Sequence, residues 1–257
     1  MLSGCGRLGF DERAAADATA DAKPTCAGHD EDGDGYGDAC DDCPVDPDPD
    51  QADRDGDGVG DACDPFPDLP GDRLAVFMPN SDAESDPYGQ MFGVTSFPGN
   101  DALRLGEVND GYGQAHFAMP STATRVAIAL TILDRSTTLS HYAGVWYDLR
   151  CIDNTCRNAL FASCARDPTG DEFLDIKEQD DPSGDRYSPN LLDPRDEVGM
   201  SYRFVVVTAA ATGGDDVMSV DGLGTTQLTV GIPRGAYGYL EARNMVVDFA
   251  YLAIWDR

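Results

Sequence analysis

Short apolar runs separated by Gly, Pro, Asp and Asn fill residues 74–257 of the chain. The clearest run covers residues 125–133, where large apolar residues alternate with small or polar ones. Its large apolar positions are Val126, Ile128, Leu130 and Ile132. A period of two is typical of a strand with one buried face, and no long helical period appears. Further strands are predicted over residues 114–119, 141–150, 202–208, 227–230, 237–241 and 245–255. About a dozen strands of this kind predict an antiparallel β-sandwich.

The segment 26–70 differs from the rest, because it is strongly acidic and nearly devoid of large apolar residues. Residues 30–64 hold 15 acidic side chains and one basic one, Arg54, in a chain of net charge −29. The larger apolar side chains there are Tyr36, Val45 and Val59. They are too few to offset the entropy of ordering the segment, so we expect a bound cation to hold it. Nucleic acid is excluded as a partner because this charge repels phosphate.

One loop motif occurs twice in the acidic segment, at a shift of 23 residues. Residues 30–41 and 53–64 both have Asp at positions 1, 3, 5, 9 and 12 and Gly at position 6. Ca²⁺ takes about six to eight hard oxygen ligands, and carboxylates at alternate positions of a tight loop converge on one point. The predicted ligands are the carboxylates of Asp30, Asp32, Asp34, Asp38, Asp41, Asp53, Asp55, Asp57, Asp61 and Asp64 and the backbone carbonyls of Tyr36 and Val59.

An EF-hand would have Glu at position 12 and amphipathic helices on both sides of the loop. Here position 12 is Asp, a Cys precedes it, and proline-rich coil follows. The run Cys40-Asp41-Asp42-Cys43-Pro44, with Gln51 before the next loop, resembles the thrombospondin type 3 repeat, with Asp48 where that family usually has Asn. The resemblance covers residues 26–64. It implies bound Ca²⁺, often two ions per repeat, and disulfides between cysteines adjacent in order, Cys26–Cys40 and Cys43–Cys63.

The chain begins Met1-Leu2-Ser3-Gly4-Cys5, which resembles a bacterial lipobox with Cys5 as the lipidated residue. A signal peptide also has a basic and an apolar stretch, so either the true start lies upstream or Cys5 is an ordinary cysteine. The spacing of the cysteines in the acidic loops favours an oxidising compartment. We predict a flexible tether over residues 1–25, calcium-binding repeats and a Pro-rich connector over 26–70, and a sandwich over 71–257.

Residues 235–255 resemble the closing strands of concanavalin-like (laminin G-like) jelly rolls, and residues 202–222, with a turn at 213–216, resemble the middle hairpin of that fold. Glucanases of this fold carry Glu-x-Asp-x-x-Glu on one strand, because retaining hydrolysis needs two carboxyl groups about 5 Å apart. Asp175 and Glu178 align with this motif, but Phe173 occupies the nucleophile position. The chain has no Gly-x-Ser-x-Gly or His-Glu-x-x-His motif, so we predict no catalysis. Its isolated histidines are expected to be strand or surface residues: His29, His116 and His141.

Aromatic residues and three further cysteines complete the candidates. A sugar-stacking surface is conceivable from Tyr88, Tyr112, Trp146, Tyr147 and Tyr187, although packing between or on the sheets is favoured for most of them. Cys151 and Cys156 flank a four-residue loop and predict a disulfide at a hairpin tip. The pairing of Cys164 stays open and includes Cys5 if that residue is not lipidated.

The sequence thus predicts a mainly β protein, a jelly-roll sandwich preceded by an irregular module stabilised by calcium and disulfides. We expect a lipid-anchored bacterial protein of the outer membrane or cell surface, with a calcium-rigidified spacer and a non-catalytic domain that binds an unknown glycan or protein. The alternatives are a secreted carbohydrate-binding or adhesion protein without lipid, and a divergent glycoside hydrolase.

Overall fold

A computed structural model of the protein describes residues 28–78, 88–98, 102–152, 155–157, 159–166, 172–179, 186–188, 198–229 and 235–257. These residues form sixteen strands and one four-residue helix, α1 (Ala209–Thr212). The strands are β1 (Arg73–Met78), β2 (Gln90–Gly93), β3 (Thr95–Ser96), β4 (Leu103–Leu105), β5 (Tyr112–Ala118), β6 (Ala123–Arg135), β7 (His141–Ile152), β8 (Thr155–Arg157), β9 (Ala159–Arg166), β10 (Glu172–Gln179), β11 (Arg186–Tyr187), β12 (Ser201–Val207), β13 (Asp215–Val220), β14 (Gly224–Thr229), β15 (Tyr237–Arg243) and β16 (Met245–Asp256).

Two eight-stranded sheets contain these strands, and all the strand pairs are antiparallel. Sheet A has the order β14-β13-β12-β6-β16-β4-β3, with β1 also paired to β16. Sheet B has the order β11-β10-β9-β7-β15-β5-β2, with β8 also paired to β7. Consecutive strands often lie in different sheets, which is the connectivity of a sandwich rather than of a meander.

The hydrophobic core lies between the two sheets. The alternation predicted in β6 is confirmed, since Val126, Ile128, Leu130 and Ile132 are all buried in that core. Leu240 of β15 meets them from sheet B. Burying each Leu or Ile stabilises the fold by about 1.5–3 kcal/mol. The predicted fold class, a mainly β antiparallel sandwich, is therefore confirmed.

One boundary in the predicted middle hairpin differs. Residues 213–216 were expected to form the turn, but β13 begins at Asp215 and includes Asp216. The side chain of Asp216 is fully buried and accepts a 2.8 Å hydrogen bond from the Tyr147 hydroxyl. A buried acid is compatible with a strand when it has a hydrogen-bond donor of its own. The sequence places the start of β13 too late because the polarity of Asp215 and Asp216 favours a turn.

The acidic segment packs directly on sheet A. From Gly28 to Pro70 the chain forms turns and bends without helix or strand, and we call this segment the repeat module. Its few apolar residues share one buried cluster with the outer face of sheet A. The members are Cys43, Val45, Val59 and Cys63 from the module and Ala127, Val205, Tyr251, Ala253 and Trp255 from the sheet. The expectation of a separate spacer did not include this contact.

Charged groups at the same interface are also paired. Arg125 of β6 is 5% exposed and lies 2.6 Å from Asp46 through Nη2, while its Nη1 donates to the Cys63 carbonyl at 3.1 Å. The same guanidinium lies over the Trp255 ring, 4.4 Å from its centroid. Arg203 of β12 pairs with the second oxygen of Asp46. Asp46 therefore bridges two cations of sheet A.

The cysteines are described in part. The Cys43–Cys63 disulfide that the resemblance implies is present, and Cys40 is disulfide-bonded as well. Its expected partner Cys26 lies outside the described residues, as does Cys5. Cys151 and Cys156 are register partners on β7 and β8, but their side chains are outside the description. The Cys164 thiol is buried, 3.5 Å from the Ala143 carbonyl oxygen.

Within the described ranges, no helix has the length and apolar character needed to cross a membrane.

Candidate functional site

Both acidic loops fold in the same way around their first aspartate. Asp30 accepts hydrogen bonds from the backbone N–H groups of Gly33 and Gly35, at 2.8 and 3.1 Å. Asp53 accepts the equivalent bonds from Gly56 and Gly58, at 2.7 and 3.0 Å. The glycines at position 6, Gly35 and Gly58, have φ values of 104° and 97°. Glycine adopts this left-handed backbone without a steric cost, which explains its place in both loops.

Carboxylates gather in two adjacent clusters in each repeat. In each cluster three ligand oxygens lie within 4.8 Å of one another. Four clusters consist of carboxylates alone, and they are Asp30/Asp32/Asp34, Asp34/Asp41/Asp48, Asp53/Asp55/Asp57 and Asp57/Asp64/Asp72. A fifth group, Asp42/Cys43/Asp48, includes the disulfide-bonded Cys43. Asp34 and Asp57 belong to two clusters each. The position-12 residues, Asp41 and Asp64, thus join a second cluster instead of completing the first.

Two of the predicted ligands lie outside these clusters. Asp38 accepts a hydrogen bond from the Glu31 N–H at 2.9 Å and lies 3.0 Å from His29 Nδ1. Asp61 accepts the equivalent bond from the Arg54 N–H at 3.0 Å. The position-9 carboxylates therefore hold each loop together by accepting a hydrogen bond from the backbone N–H at position 2. At position 7, Tyr36 and Val59 donate their N–H groups to Asp34 and Asp57 at 2.8 and 3.0 Å.

The unpaired carboxylate oxygens test whether these clusters fit a cation. Among the described residues, several buried oxygens accept no hydrogen bond: Asp32 Oδ2, Asp48 Oδ2, Asp55 Oδ2 and both oxygens of Asp72. A buried carboxylate oxygen without a donor costs free energy unless a cation coordinates it. Each repeat leaves such oxygens at its clusters, so the residues fit a bound cation.

Electrostatics supports the same conclusion. Burial, followed by repulsion from neighbouring carboxylates, raises the pKa of Asp32 to about 7. Burial also raises the pKa of Asp48 to about 8, together with contacts to Asp42, and that of Asp64 to about 6. A nearby positive charge stabilises the ionised form of carboxylates that are buried close to one another. The donors are hard oxygens throughout these four clusters, the set that Ca²⁺ prefers over Zn²⁺.

A second candidate site is the outer face of sheet B, the face turned away from the core. Four aromatic rings cross four neighbouring strands there: Phe92 of β2, His116 of β5, Tyr239 of β15 and Trp146 of β7. Their centroids are 5.0, 4.8 and 5.6 Å apart in that order. Exposure rises along this aromatic row from 8% at Trp146 to 43% at Phe92. Burial lowers the pKa of His116, so the row is uncharged at neutral pH.

Polar groups form a network beside the aromatic row. Glu241 of β15 accepts a 2.6 Å hydrogen bond from Trp146 Nε1 and a 3.1 Å bond from Gln114 Nε2. Burial is the main cause that raises the pKa of Glu241, while Gln114, Trp146 and Tyr142 oppose the shift by hydrogen bonding. Glu241 therefore fixes the ring of Trp146 and the amide of Gln114.

The acids of this face are widely separated. Asp175 pairs in register with Ser163, Ser163 with Gly144, and Gly144 with Glu241. Three strand spacings separate Asp175 from Glu241, which is about 14 Å at about 4.8 Å per spacing. The pairs of β10 and β9 run without a register shift, so positions 175 and 178 belong to opposite faces of the sheet. Neither arrangement matches the carboxyl pairs of glycosidases, which are about 5–9.5 Å apart.

The aromatic candidates from the sequence fall into two groups. Tyr88 and Tyr147 are buried in the core, as favoured, whereas Trp146 lies on the outer face of sheet B and Tyr112 is exposed. The side chain of Tyr187 is outside the description.

Tyr239, Glu241, Gln114 and the role of His116 were not predicted from the sequence. For Tyr239 and Glu241 a signal exists in the strict alternation of β15, in which Tyr239, Glu241 and Arg243 alternate with Leu240 and Ala242. Asp72 was also missed, because it follows the last repeat.

Comparison with known proteins identifies the sandwich fold and no family. No protein-family model matches the chain, and no curated protein does. The CBM2 module of the evolved Dit of Lactobacillus casei BL23 phage J-1 is similar in structure, with a TM-score of 0.52 and 10% identity over 72% of this chain and 95% of that one. The Bacillus licheniformis β-glucanase has a TM-score of 0.49 and 6% identity over 70% of this chain and 96% of that one. SCLam, a family GH16 endo-β-1,3(4)-glucanase, has a TM-score of 0.49 and 9% identity over 72% of this chain and 91% of that one. At such identities the similarity describes the fold alone.

Proposed function

We propose that the protein binds a saccharide on the outer face of sheet B, without cleaving it, and that calcium ions hold its repeat module. The aromatic row next to the Glu241 network is the observation that carries this proposal. The fold is shared with the CBM2 (carbohydrate-binding) module of the phage protein. Because that similarity is one of fold, the residues of this chain have to support the function by themselves.

The aromatic row suits a sugar ring for a chemical reason. A pyranose presents C–H groups on its flat faces and hydroxyl groups at its edge, so it binds where aromatic rings lie beside fixed polar groups. Phe92 and Tyr239 supply accessible ring surface, and Gln114 supplies an amide held in place by Glu241. Stacked neighbours lose little conformational entropy when a ligand packs on them.

The absence of a closely spaced acid pair among the described residues of this face supports binding over hydrolysis. Asp175 and Glu241 share the face but are about 14 Å apart by strand spacing, too far to act on one glycosidic bond. Glu241 is also occupied by Trp146 and Gln114. We therefore assign Glu241 a positioning role.

Calcium binding is proposed from the four carboxylate clusters and their unpaired buried oxygens. When bound, the ions would neutralise the clusters and give the repeat module the rigidity that a hydrophobic core cannot supply. Surface location and a lipid on Cys5 complete the proposal and come from the sequence, since Cys5 is outside the described residues.

The experiment uses the full chain with bound calcium. We expect a glycan array to identify a ligand, and the Trp146 emission to change when that ligand is titrated. Phe92→Ala is expected to weaken binding at least tenfold, because it removes the most exposed ring of the row. Val198→Ala is the matched control, since Val198 is also an exposed apolar residue but leads into sheet A.

Three results would contradict the proposal. Equal affinities of wild type and Phe92→Ala would place the ligand elsewhere. Hydrolysis of the bound glycan would replace binding by catalysis. A calorimetric titration of wild type that shows no uptake of Ca²⁺ would refute the calcium-binding part.

A further inference from the structure

Asp72 lies outside both repeats, one residue before β1 of the sandwich, yet it is part of a carboxylate cluster. Its ligand oxygen is within 4.8 Å of those of Asp57 and Asp64. The residue is 2% exposed, and neither of its carboxylate oxygens accepts a hydrogen bond of good geometry among the described residues. Its nearby donors are Thr124 and, 3.5 Å away, the Arg257 guanidinium. A buried carboxylate in a cluster with only these contacts is placed to coordinate a cation.

The first repeat shows the same arrangement made entirely from residues of the repeat module. There the backbone N–H of Asp48 donates to Asp34 Oδ2 at 3.0 Å, and Asp48 shares a cluster with Asp34 and Asp41. In the second repeat, the backbone N–H of Asp72 donates to Asp57 Oδ2 at 2.7 Å. Asp72 therefore takes the place of Asp48, so here the third carboxylate comes from the residue before β1 of the sandwich and not from the repeat module.

Charge at this cluster favours a divalent cation. Three carboxylates meet there, and in the described part of the chain the cation paired with them is Arg257, whose Nη1 is 3.5 Å from Asp72 Oδ2. The guanidinium of Arg257 also lies over the Phe66 ring, 4.6 Å from its centroid. Because Asp57 is shared with the neighbouring cluster, the two clusters together hold five carboxylates, and one arginine leaves four negative charges, the charge of two Ca²⁺ ions.

The residues near this cluster hold the module on sheet A. Val59, two residues after Asp57, and Cys63, next to Asp64, are buried in the cluster that covers Trp255. The Trp255 indole is fully buried under the module. A cation that ties Asp57 and Asp64 to Asp72 thus connects the covering segment to the first strand of the sandwich.

We propose that a divalent cation bound by Asp57, Asp64 and Asp72 fastens the repeat module to the sandwich and keeps the outer face of sheet A covered. The proposal rests on the calcium-binding part of the proposed function. Removal of the cation leaves the carboxylates of Asp57 and Asp64 to repel Asp72, and the module separates from Trp255.

The test measures cation binding and Trp255 exposure in the full chain. Asp72→Asn keeps the size of the side chain and removes its charge. We expect this variant to bind one Ca²⁺ ion fewer than wild type, or to bind it at least tenfold more weakly, in a calorimetric titration. The Trp146→Phe background leaves Trp255 as the single indole. As calcium is removed, the Trp255 emission is expected to shift to the red, and in Asp72→Asn this shift should already occur at a higher free calcium concentration than in the parent.

Asp68→Asn is the matched control. Asp68 is a neighbouring, exposed aspartate that pairs with Arg54 and belongs to none of the clusters. We expect it to behave as the parent does. Hydrogen exchange of β16 in wild type, with Ca²⁺ and with chelator, gives a second measurement that needs no variant at this site.

The outcomes separate this proposal from the one it rests on. If wild type takes up no Ca²⁺, the calcium-binding function itself is refuted. If wild type binds Ca²⁺ but Asp72→Asn has the same stoichiometry and affinity, Asp72 is not a ligand and the inference is overturned. Unchanged exchange of β16 upon chelation would likewise overturn the fastening of the module.

Discussion

Replacement of Asp46 by Asn tests whether the repeat module and the sandwich are one stability unit. Asp46 bridges Arg125 and Arg203 from the module side. The side chain of Arg125 is 6% exposed, so the substitution leaves its charge buried without a counter-charge. Loss of one partner of a buried pair costs about 3–5 kcal/mol.

The structure places the expected cost at the lower end of that range. Arg125 retains its bond to the Cys63 carbonyl and its position over Trp255. Arg203 is partly exposed and pairs also with Asp221, so its share is small. We expect Asp46→Asn to lower the free energy of unfolding by about 3 kcal/mol. This corresponds to a fall in Tm of about 6–12 °C for a domain of this size.

The assay is urea and thermal unfolding in saturating Ca²⁺, followed by Trp emission. Arg125→Met and the double variant Arg125→Met/Asp46→Asn complete a double-mutant cycle, with an expected coupling of about 2 kcal/mol. Asp50→Asn, an exposed acid of the same module, serves as the control and is expected to leave the midpoint unchanged. If Asp46→Asn unfolds with wild-type stability, or the cycle shows no coupling, the module does not stabilise sheet A through this pair.

Two further predictions concern other parts of the chain. The pKa of Glu241 is raised in the fold above its ordinary value of 4.5, so the folded state keeps this proton at a pH where the unfolded state has lost it. The contribution of Glu241 to stability therefore falls as the pH rises from 4.5 through the folded pKa. The Tm of Glu241→Gln minus the Tm of wild type should increase over this interval. A difference in Tm that is independent of pH would contradict a raised pKa for Glu241. If Cys5 is lipidated as proposed, Cys5→Ser should move the protein, expressed from its native gene in its own cells, from the membrane fraction to the soluble one. A wild-type protein that is soluble with an unmodified thiol would refute the lipid anchor.

Local pattern was sufficient to predict the acidic loops and seven of the sixteen strands, namely β5, β6, β7, β12, β14, β15 and β16. The alternation of Val126, Ile128, Leu130 and Ile132 identified the buried face of β6, because side chains of a strand alternate between two faces. The acidic loops were visible because their spacing repeats. Both signals lie within about a dozen consecutive residues, where chain geometry alone sets which side chains are neighbours.

Contacts between distant segments were not visible in the same way. Asp72 is separated from Asp57 by 15 residues and follows the repeat, so periodicity assigns it no role. Asp46 and Arg125 are partners through the placement of the module on sheet A. The sequence pattern places the small residues Ala127 and Ala253 on the outward face of the sheet, and it does not show that the module buries them. Partners of this kind depend on tertiary packing, which a single sequence does not encode in its local pattern.

The two outer faces of the sandwich explain why binding is assigned to sheet B. Each sheet of a sandwich has one face in the core and one facing outward. On sheet A the outward residues, including the rings of Tyr251 and Trp255, are buried beneath the module. On sheet B the aromatic row extends to an exposed ring, Phe92, and lies beside a fixed carboxylate. Loss of calcium should therefore uncover sheet A and leave the proposed saccharide site on sheet B in place, so the cation stabilises the protein without being part of ligand recognition.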